Sequence, residues 1–383
     1  MIDRQFIAKP SEIGLDEGRL QRLYDFVEGE VRAGLPSAQV AVGRRGRLAG
    51  VRTFGTATRG GLTGPATDDT LYCIYSSTKG IVGVAVWGLI EDGGLRIEER
   101  VADIIPEFAG KEKDGITVEQ VMLHIGGFPY APMHPDLWES REKRLERIKY
   151  WRITWQPGSR FEYHATAAHW ILAELITRRT GLDFRDYVRR RITEPMGVPE
   201  LFVGLPDEFH ARAADVEYVG DPVAPEGGWK ETNPDTVLHF NLPSQRRAGA
   251  PGAGAFAGAG ELALFYQRLV SVNESGAHAP LRPETIEMAT TVRTKDHHVD
   301  ELSGLPVNRA LAVVVAGDHP LERGFGAHGS SRAFGHGGAG GQIAWGDPET
   351  GLSVGFVTNG FVDNERIRDR GRAISTLAAE ALV

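Results

Sequence analysis

The hydrophobic pattern of the first sixty residues predicts a helix followed by two strands. Over residues 15–34, Leu20, Leu23 and Val27 recur at the spacing that places side chains on one face of a helix. The next stretch, PSAQVAVGRRGRLAGVRTFG, predicts two strands around a turn at Arg44–Gly46. The chain therefore opens with a helix and a β-hairpin.

Later stretches of the chain differ in character. The apolar run IVGVAVWGLI indicates a buried helix over residues 76–92, and the region 100–240 carries helical patterns separated by loops rich in proline and glycine. The helical patterns cover residues 117–123, 137–150, 165–180 and 183–194. After about residue 250, ELALFYQRLVSV predicts a helix, ALAVVVAG, GQIAWGDP and LSVGFVTN predict strands, and NERIRDRGRAISTLAAEALV predicts a final helix.

This order of elements predicts an α+β fold in which an antiparallel sheet is flanked by helices and a mostly helical domain is inserted. The chain has 383 residues, and single hydrophobic cores stop growing near about 250–300 residues, so we expect two structural regions. We expect residues 1–99 and 245–383 to form the sheet domain. Residues 100–244 would form the inserted domain.

Composition and charge exclude several classes of function. Hydrophobic residues make up 41% and charged residues 25% of the chain, as in ordinary globular proteins. The net charge of −8 argues against a nucleic-acid partner, because phosphate binding needs a basic surface. No apolar stretch is long enough to span a bilayer, and the N-terminal residues contain no apolar run of the kind found in a secretory signal, so we expect a cytoplasmic protein without a membrane partner. The single cysteine allows no internal disulfide, and the oligomeric state stays open.

Ser76 and Lys79 lie in LYCIYSSTKG, where a polar stretch meets the apolar run. On a helix, residues three apart share one face, one turn apart. A serine hydroxyl becomes a good nucleophile only when a neighbouring base takes its proton, and a buried lysine can be that base because burial disfavours the ammonium. The alternative is a helix N-cap at Ser76 or Ser77, with Lys79 in solvent.

Two further stretches could complete such a site. Tyr163 follows a Pro–Gly turn in WQPGSRFEYHATAAHWILAELI and precedes a helix, where its phenol could hold or shuttle a proton or could be a core hydroxyl. In FGHGGAGG, Gly337 and Gly338 would let the backbone approach a substrate. A backbone N–H in this segment could form half of an oxyanion hole, with the N–H of Ser76 as the other half. A plain glycine-rich hairpin is the alternative.

These stretches, in this order, resemble the serine β-lactamase and penicillin-binding-protein superfamily, in which the nucleophile lies in a Ser-x-x-Lys motif. The resemblance is closest to the family VIII carboxylesterases, which are similar to class C β-lactamases. It covers most of the chain. The matching stretches are GLDEGRLQRL with AVGRRGRLAGVRTFGTAT, LYCIYSSTKG, ITVEQVMLHIGGFP, QPGSRFEYHATAAHWILAELI, GAPGAGAFAGAGELALFY and FGHGGAGG.

The resemblance implies a fold and a set of roles. The fold would be an antiparallel sheet flanked by helices plus an all-helical domain, with the site at their junction. Ser76 would be the acylated nucleophile, and Lys79 and Tyr163 would move its proton. The backbone N–H groups of Ser76 and Ala339 would form the oxyanion hole.

Two departures from the lactamase pattern bear on the substrate. Ala165 stands where lactamases of this class carry an asparagine that holds a substrate amide. His336, Gly337 and Gly338 replace a Lys-Thr-Gly triad whose lysine helps to bind the β-lactam carboxylate, and His336 is at most partly charged at pH 7. Both differences favour an ester, which has neither the second amide nor the anion.

We therefore predict a serine carboxylesterase that cleaves a small-molecule ester and needs no cofactor. The alternatives on the same scaffold are a β-lactamase, a D-amino-acid peptidase or an acyltransferase. An alternative of another class is a catalytically silent binding protein.

The remaining candidates concern the pocket and a metal. Aromatic residues near the motifs could line an apolar acyl pocket or could pack in the core. They are Tyr75, Phe128, Tyr130, Trp170 and Trp345. Asp296, His297 and His298 are adjacent in the chain, but no further ligand lies at the spacing of a helix or a hairpin, so we expect no metal site. His124 is predicted to be a structural histidine that holds a loop.

Overall fold

The computed structural model describes residues 2–224, 233–300 and 304–383. Its α-helices are numbered in chain order, and the longest ones lie close to the positions that the hydrophobic pattern predicts. They are α1 (Glu17–Arg32), α2 (Thr78–Glu91), α3 (Val101–Ile104), α4 (Val118–Met122), α5 (Arg141–Ile148), α6 (Ala167–Thr180), α7 (Phe184–Val188), α8 (Pro234–Leu238), α9 (Pro243–Ala248), α10 (Ala259–Val270), α11 (Val272–Ser275), α12 (Pro283–Thr290) and α13 (Asn364–Glu380).

The main sheet of the described residues contains eight strands in the order β3-β2-β1-β12-β11-β10-β9-β8, and each neighbouring pair is antiparallel. The first strands of the chain therefore pair with the last ones. The strands are β1 (Ser37–Arg44), β2 (Arg47–Arg59), β3 (Leu62–Pro65), β4 (Tyr72–Cys73), β5 (Phe202–Val203), β6 (Glu217–Tyr218), β7 (Ala255–Ala257), β8 (Arg309–Ala310), β9 (Val313–Val315), β10 (Phe334–Gly335), β11 (Ile343–Asp347), β12 (Leu352–Thr358) and β13 (Gly360–Phe361).

Helices cover both faces of this sheet. In β1, Val40 and Val42 face the apolar cluster formed with α1 and α13, whereas Ala41 faces the larger cluster on the side of α10. This alternation follows from the two-residue period of a strand. Because both faces are covered, every residue of β1 except Arg44 is buried. The result is the predicted combination of helices and antiparallel sheet.

Helix α2 lies between the sheet side of the molecule and the mostly helical region. It packs against α6 and α7 on one side and against β9 and α12 on the other. Gly83 permits a close approach, since a Cβ there would lie 2.6 Å from Cβ of Ala312. Because α2 is buried all round, its first turn is fixed at the junction of the two regions. The boundaries predicted for the two domains stay a prediction.

A small sheet that the sequence patterns did not predict fixes the segment before α2. Strand β4 pairs with β7, which also pairs with β5, all antiparallel. Its strands have two or three residues, too short for a periodic pattern to identify. The pairing brings the chain before Ser76 beside the glycine-rich segment that contains Gly252.

Candidate active site

Ser76 lies in a short 3₁₀ turn directly before α2 and is partly exposed, while the residues on both sides of it are buried. Tyr75 has a positive φ of 44°, a conformation that is uncommon for a residue with a bulky side chain. Its hydroxyl donates to the carbonyl of Val237 at 3.1 Å, and its ring packs edge-on against Phe240 and Phe361. These contacts hold the strained backbone that presents Ser76 to the cleft.

Lys79 lies one turn further along the same helix face and is fully buried. Its Nζ donates to the carbonyl of Gly252 at 2.7 Å and lies 3.2 Å from Oγ of Ser76. The amine therefore points at the nucleophile rather than into solvent, as the catalytic interpretation requires. That this amine is uncharged stays a prediction.

The ring of Tyr163 lies beside the same amine, with 5.0 Å between Nζ of Lys79 and the ring centroid. Its hydroxyl is buried and has no hydrogen-bond partner among the described residues. His124 packs against the Tyr163 ring at 4.8 Å and accepts the backbone N–H of His164 at 3.1 Å. His124 thus fixes the segment that carries Tyr163, as expected of a structural histidine that holds a loop. The structure brings the serine, lysine and tyrosine together.

The glycine-rich turn after β10 lies against the segment that carries the serine. A Cβ on Gly338 would lie 2.5 Å from the carbonyl oxygen of Ile74, so only glycine permits this approach. Gln342 accepts the N–H of Gly338 through its backbone and that of Gly340 through its side chain. Ala339, which lies between these two anchored residues, is thereby held close to the nucleophile segment. Its role in an oxyanion hole stays a prediction.

His336 is buried and neutral. Its Nδ1 donates to the carbonyl of Gly337 at 2.9 Å, and its Nε2 lies 3.3 Å from Nη1 of Arg309. Arginine can only donate, so Nε2 must accept. Burial, and then the nearby charges of Arg309 and Lys79, hold the pKa of His336 well below its usual range.

Comparison with known proteins places this geometry in a family. The sequence profile of the family described as Beta-lactamase matches residues 20–379. The chain belongs to the beta-lactamase family. A relative from Escherichia coli shows how far the sequence similarity extends. A protein of Escherichia coli (strain K12) named "Putative D-alanyl-D-alanine carboxypeptidase" is 24% identical over 378 residues, which cover 92% of this chain and 85% of that protein.

Solved structures agree with the family assignment. A penicillin-binding-protein homolog from Caulobacter crescentus superposes with a TM-score of 0.79 and 26% identity, covering 96% of this chain and 99% of that one. A family VIII carboxylesterase superposes with a TM-score of 0.78 and 22% identity over the same shares. The predicted β-lactamase-like fold is therefore confirmed. Across the described residues, no helix combines the length and apolar character that crossing a membrane requires.

Arg309 is a residue of the beta-lactamase-family site that the sequence patterns did not reveal. Its guanidinium lies over the rings of Tyr163 and Phe161, at 5.4 Å and 5.6 Å from their centroids. Burial lowers its pKa, and no carboxylate forms an ion pair with it among the described residues. The cation that His336 cannot supply is therefore present on β8. This corrects the sequence-based argument that the site lacks a partner for an anion.

Most of the aromatic residues predicted for an acyl pocket lie elsewhere. Phe128 is buried against Phe108 and Trp151, and Trp170 packs against Trp138 and Phe184 in the helical region. Trp345 belongs to the apolar cluster of α1 and α13, on the face of the sheet away from α10, and donates to Ser375. Tyr130 is half exposed. Tyr75 borders the serine, but its ring is buried.

A hollow beside Ala339 has a mixed wall of apolar and acidic residues that were not predicted as pocket residues. This hollow has a volume of about 70 Å³ and is lined mainly by β6, the segment after it, and β13 with the residues that follow. The lining includes Tyr218, Pro222, Val223, Phe361 and Val362 together with Asp221 and Asp363. The contributing segments are distant in sequence, so no local pattern could have marked them.

The pair His297 and His298 holds a loop. Nδ1 of His298 accepts the N–H of Lys295 at 3.0 Å, and its Nε2 lies 3.1 Å from the carbonyl of Gly158. Over residues 2–224, 233–300 and 304–383, no three histidine, cysteine, aspartate or glutamate side chains are grouped to hold a metal ion.

Proposed function

We propose that this member of the beta-lactamase family is a serine carboxylesterase that forms an acyl-enzyme on Ser76. The observation that carries the proposal is the fully buried amine of Lys79, 3.2 Å from Oγ of Ser76. Burial of a lysine beside a serine is what a base for that hydroxyl needs.

In the first step, Nζ of Lys79 takes the proton as Oγ of Ser76 attacks the ester carbonyl carbon. The C=O double bond becomes a C–O⁻ single bond, which the N–H groups of Ser76 and Ala339 would stabilise by roughly 3–4 kcal/mol per donor. When the carbonyl re-forms, the bond to the alcohol oxygen breaks. The proton held by Lys79 and Tyr163 passes to that oxygen, and the alcohol leaves.

In the second step, water attacks the acyl-enzyme. The same groups take one proton from the water and return one to Oγ of Ser76, so that a carboxylic acid is released and the free serine is restored. An alcohol or amine that replaces the water would give acyl transfer. One feature supports a neutral ester: Ala165 offers no amide to a substrate.

Replacing Ser76 by alanine tests the proposal. Ser76→Ala should abolish turnover of p-nitrophenyl esters and labelling by a fluorophosphonate probe, while the thermal unfolding midpoint stays close to that of the wild type. Retained turnover would overturn the nucleophile assignment. Absence of both turnover and labelling in the wild type would favour the binding protein.

A second candidate is a carboxypeptidase that acts on peptides ending in D-alanine, and Arg309 favours it. A guanidinium that forms no ion pair with a carboxylate of the described residues, with Asp300 acting on it only at longer range, suits a substrate that carries a carboxylate. The name of the E. coli relative points to the same class of substrate.

A substrate panel separates the two candidates. A neutral p-nitrophenyl ester, nitrocefin and a peptide ending in D-Ala-D-Ala should be tested on the wild type and on Arg309→Gln. For an esterase, the neutral ester is the best substrate and Arg309→Gln changes its kcat/KM by less than about tenfold. For a carboxypeptidase, the peptide is cleaved and the variant loses roughly 10- to 100-fold in kcat/KM, because a charged hydrogen bond is lost.

A further inference from the structure

His169 is a fully buried histidine in the first turn of α6. Neither of its ring nitrogens is in hydrogen-bonding geometry with a partner among the described residues, although the backbone of Lys79 lies near enough to raise the pKa of the imidazole in part. Buried polar groups are almost always paired, so an imidazole with two unused nitrogens needs an explanation. The other buried histidine of this segment, His164, behaves normally. Its Nδ1 donates to the carbonyl of Glu162, and its Nε2 accepts the N–H of Phe128.

The position of His169 links it to Lys79 through Gly252. A Cβ built on Gly252 would lie 3.2 Å from Nζ of Lys79 and 3.5 Å from Cβ of His169. The Cβ of His169 and the amine of Lys79 therefore lie beside the same glycine, whose carbonyl accepts one of the N–H groups of Lys79.

The surroundings keep this imidazole neutral. The charged and titratable groups that face it are Lys79 of α2, His124 after α4, Arg309 of β8 and His336 after β10. Burial is the largest influence that holds the pKa of His169 well below its usual range, and a positive charge on Lys79, once it has taken the proton of Ser76, lowers that pKa further. A neutral imidazole always has one nitrogen that can accept a hydrogen bond.

Lys79 lacks one acceptor when it carries a proton. An ammonium has three N–H groups, and among the described residues Nζ has two hydrogen-bond acceptors, the carbonyl of Gly252 and Oγ of Ser76. We propose that His169 is a positioning residue that accepts the third N–H of the Lys79 ammonium formed as Ser76 loses its proton. Hydrogen bonds of this kind often tighten only once substrate is bound.

The inference rests on the proposed role of Lys79, but it does not depend on which substrate is cleaved. His169 offers a neutral acceptor from the first turn of α6. A charge-assisted bond from ammonium to imidazole stabilises the charged form of the lysine.

Paired variants test the proposal. His169→Leu removes the acceptor, and His169→Gln keeps an amide oxygen that can replace it. We expect His169→Leu to lower kcat/KM for a p-nitrophenyl ester roughly 10- to 100-fold. The acidic limb of its pH profile should move down by about one pH unit, because the ammonium has lost an acceptor. His169→Gln should restore most of the rate and the position of the limb.

His164→Gln is the matched control. It disturbs a buried neutral histidine with structural partners, so it should lower the thermal unfolding midpoint without moving the acidic limb. The rate of fluorophosphonate labelling of Ser76, followed against pH, gives a readout that is independent of substrate. If the wild type is labelled but cleaves no ester, the esterase proposal fails while the test of His169 stands. Equal effects of the leucine and glutamine variants, or an unmoved acidic limb in His169→Leu, would overturn the inference.

Discussion

Among the residues that the structure describes, two lysines are fully buried, and their surroundings are alike in most respects. Lys113 donates to the backbone carbonyls of Trp151 and Ile148, at 2.8 Å and 3.4 Å, and its Nζ lies 4.8 Å from the ring centroid of Phe108. Lys79 also donates to a backbone carbonyl and also lies beside an aromatic ring, that of Tyr163. Burial, a carbonyl acceptor and an aromatic neighbour therefore do not distinguish the two sites.

The difference lies in what else each amine meets. The second partner of Lys79 is a serine hydroxyl at the edge of a cleft, whereas that of Lys113 is another carbonyl that cannot exchange a proton. The ring beside Lys79 carries a hydroxyl without a partner, and the ring beside Lys113 carries none. Groups with unused hydrogen-bonding capacity mark the site that can react. The comparison teaches that a buried lysine is catalytic through its partners, not through its burial.

The sharpest test replaces each lysine by methionine. Lys79→Met should lower kcat/KM for a p-nitrophenyl ester by about 10³-fold or more, because Ser76 loses the base that takes its proton. Lys113→Met should leave kcat/KM within about twofold and change only the free energy of unfolding, since two carbonyls lose their donor. Steady-state kinetics and urea unfolding of both variants provide the measurements. Similar loss of activity in both would remove the distinction between the two sites.

The next test makes the active site resemble the Lys113 site. Tyr163→Phe keeps the ring beside Lys79 and removes only the hydroxyl. We expect kcat/KM to fall about 10²-fold, the usual scale for a lost proton-transfer group. The free energy of unfolding should change little, because that hydroxyl is buried without a partner and its removal leaves no donor or acceptor unpaired. An unchanged kcat/KM would show that the phenol moves no proton.

Much of this arrangement could be predicted from the sequence, because its signals are local. The spacing of Ser76 and Lys79 puts both on one face of a helix, and the apolar run after them indicates that this helix is buried. The alternating strands and the final helix were predicted in the same way, and the strand order follows the family's fold. The hydrophobic period distinguishes a helix from a strand clearly wherever the element is long.

Other parts of the site arise from tertiary contacts that no local pattern contains. Arg309 contacts His336, which is 27 residues away in the chain, from a neighbouring region of the sheet. It directly precedes ALAVVVAG, a stretch whose pattern predicts a strand and nothing more. His169 stands in an apolar helix, where a single histidine gives no signal, and it becomes notable only because neither nitrogen is in hydrogen-bonding geometry with a partner among the described residues. Trp345 is the opposite case, a residue that the sequence placed near the site. It is close in sequence to the glycine-rich turn, but the two-residue period of β11 turns it to the other face of the sheet.

The smallest expected effect concerns stability at the second lysine. Burial lowers the pKa of Lys113 from 10.5 to about 8. Between these values the unfolded chain binds a proton that the folded chain does not, so unfolding is favoured by proton uptake and the free energy of unfolding rises with pH. Relative to Lys113→Met, the wild type should gain roughly 2 kcal/mol between pH 8 and pH 10. Urea unfolding of both proteins at the two pH values measures the gain. A constant difference between the proteins would mean that Lys113 keeps an ordinary pKa despite its burial, and that the two lysines differ in more than their partners.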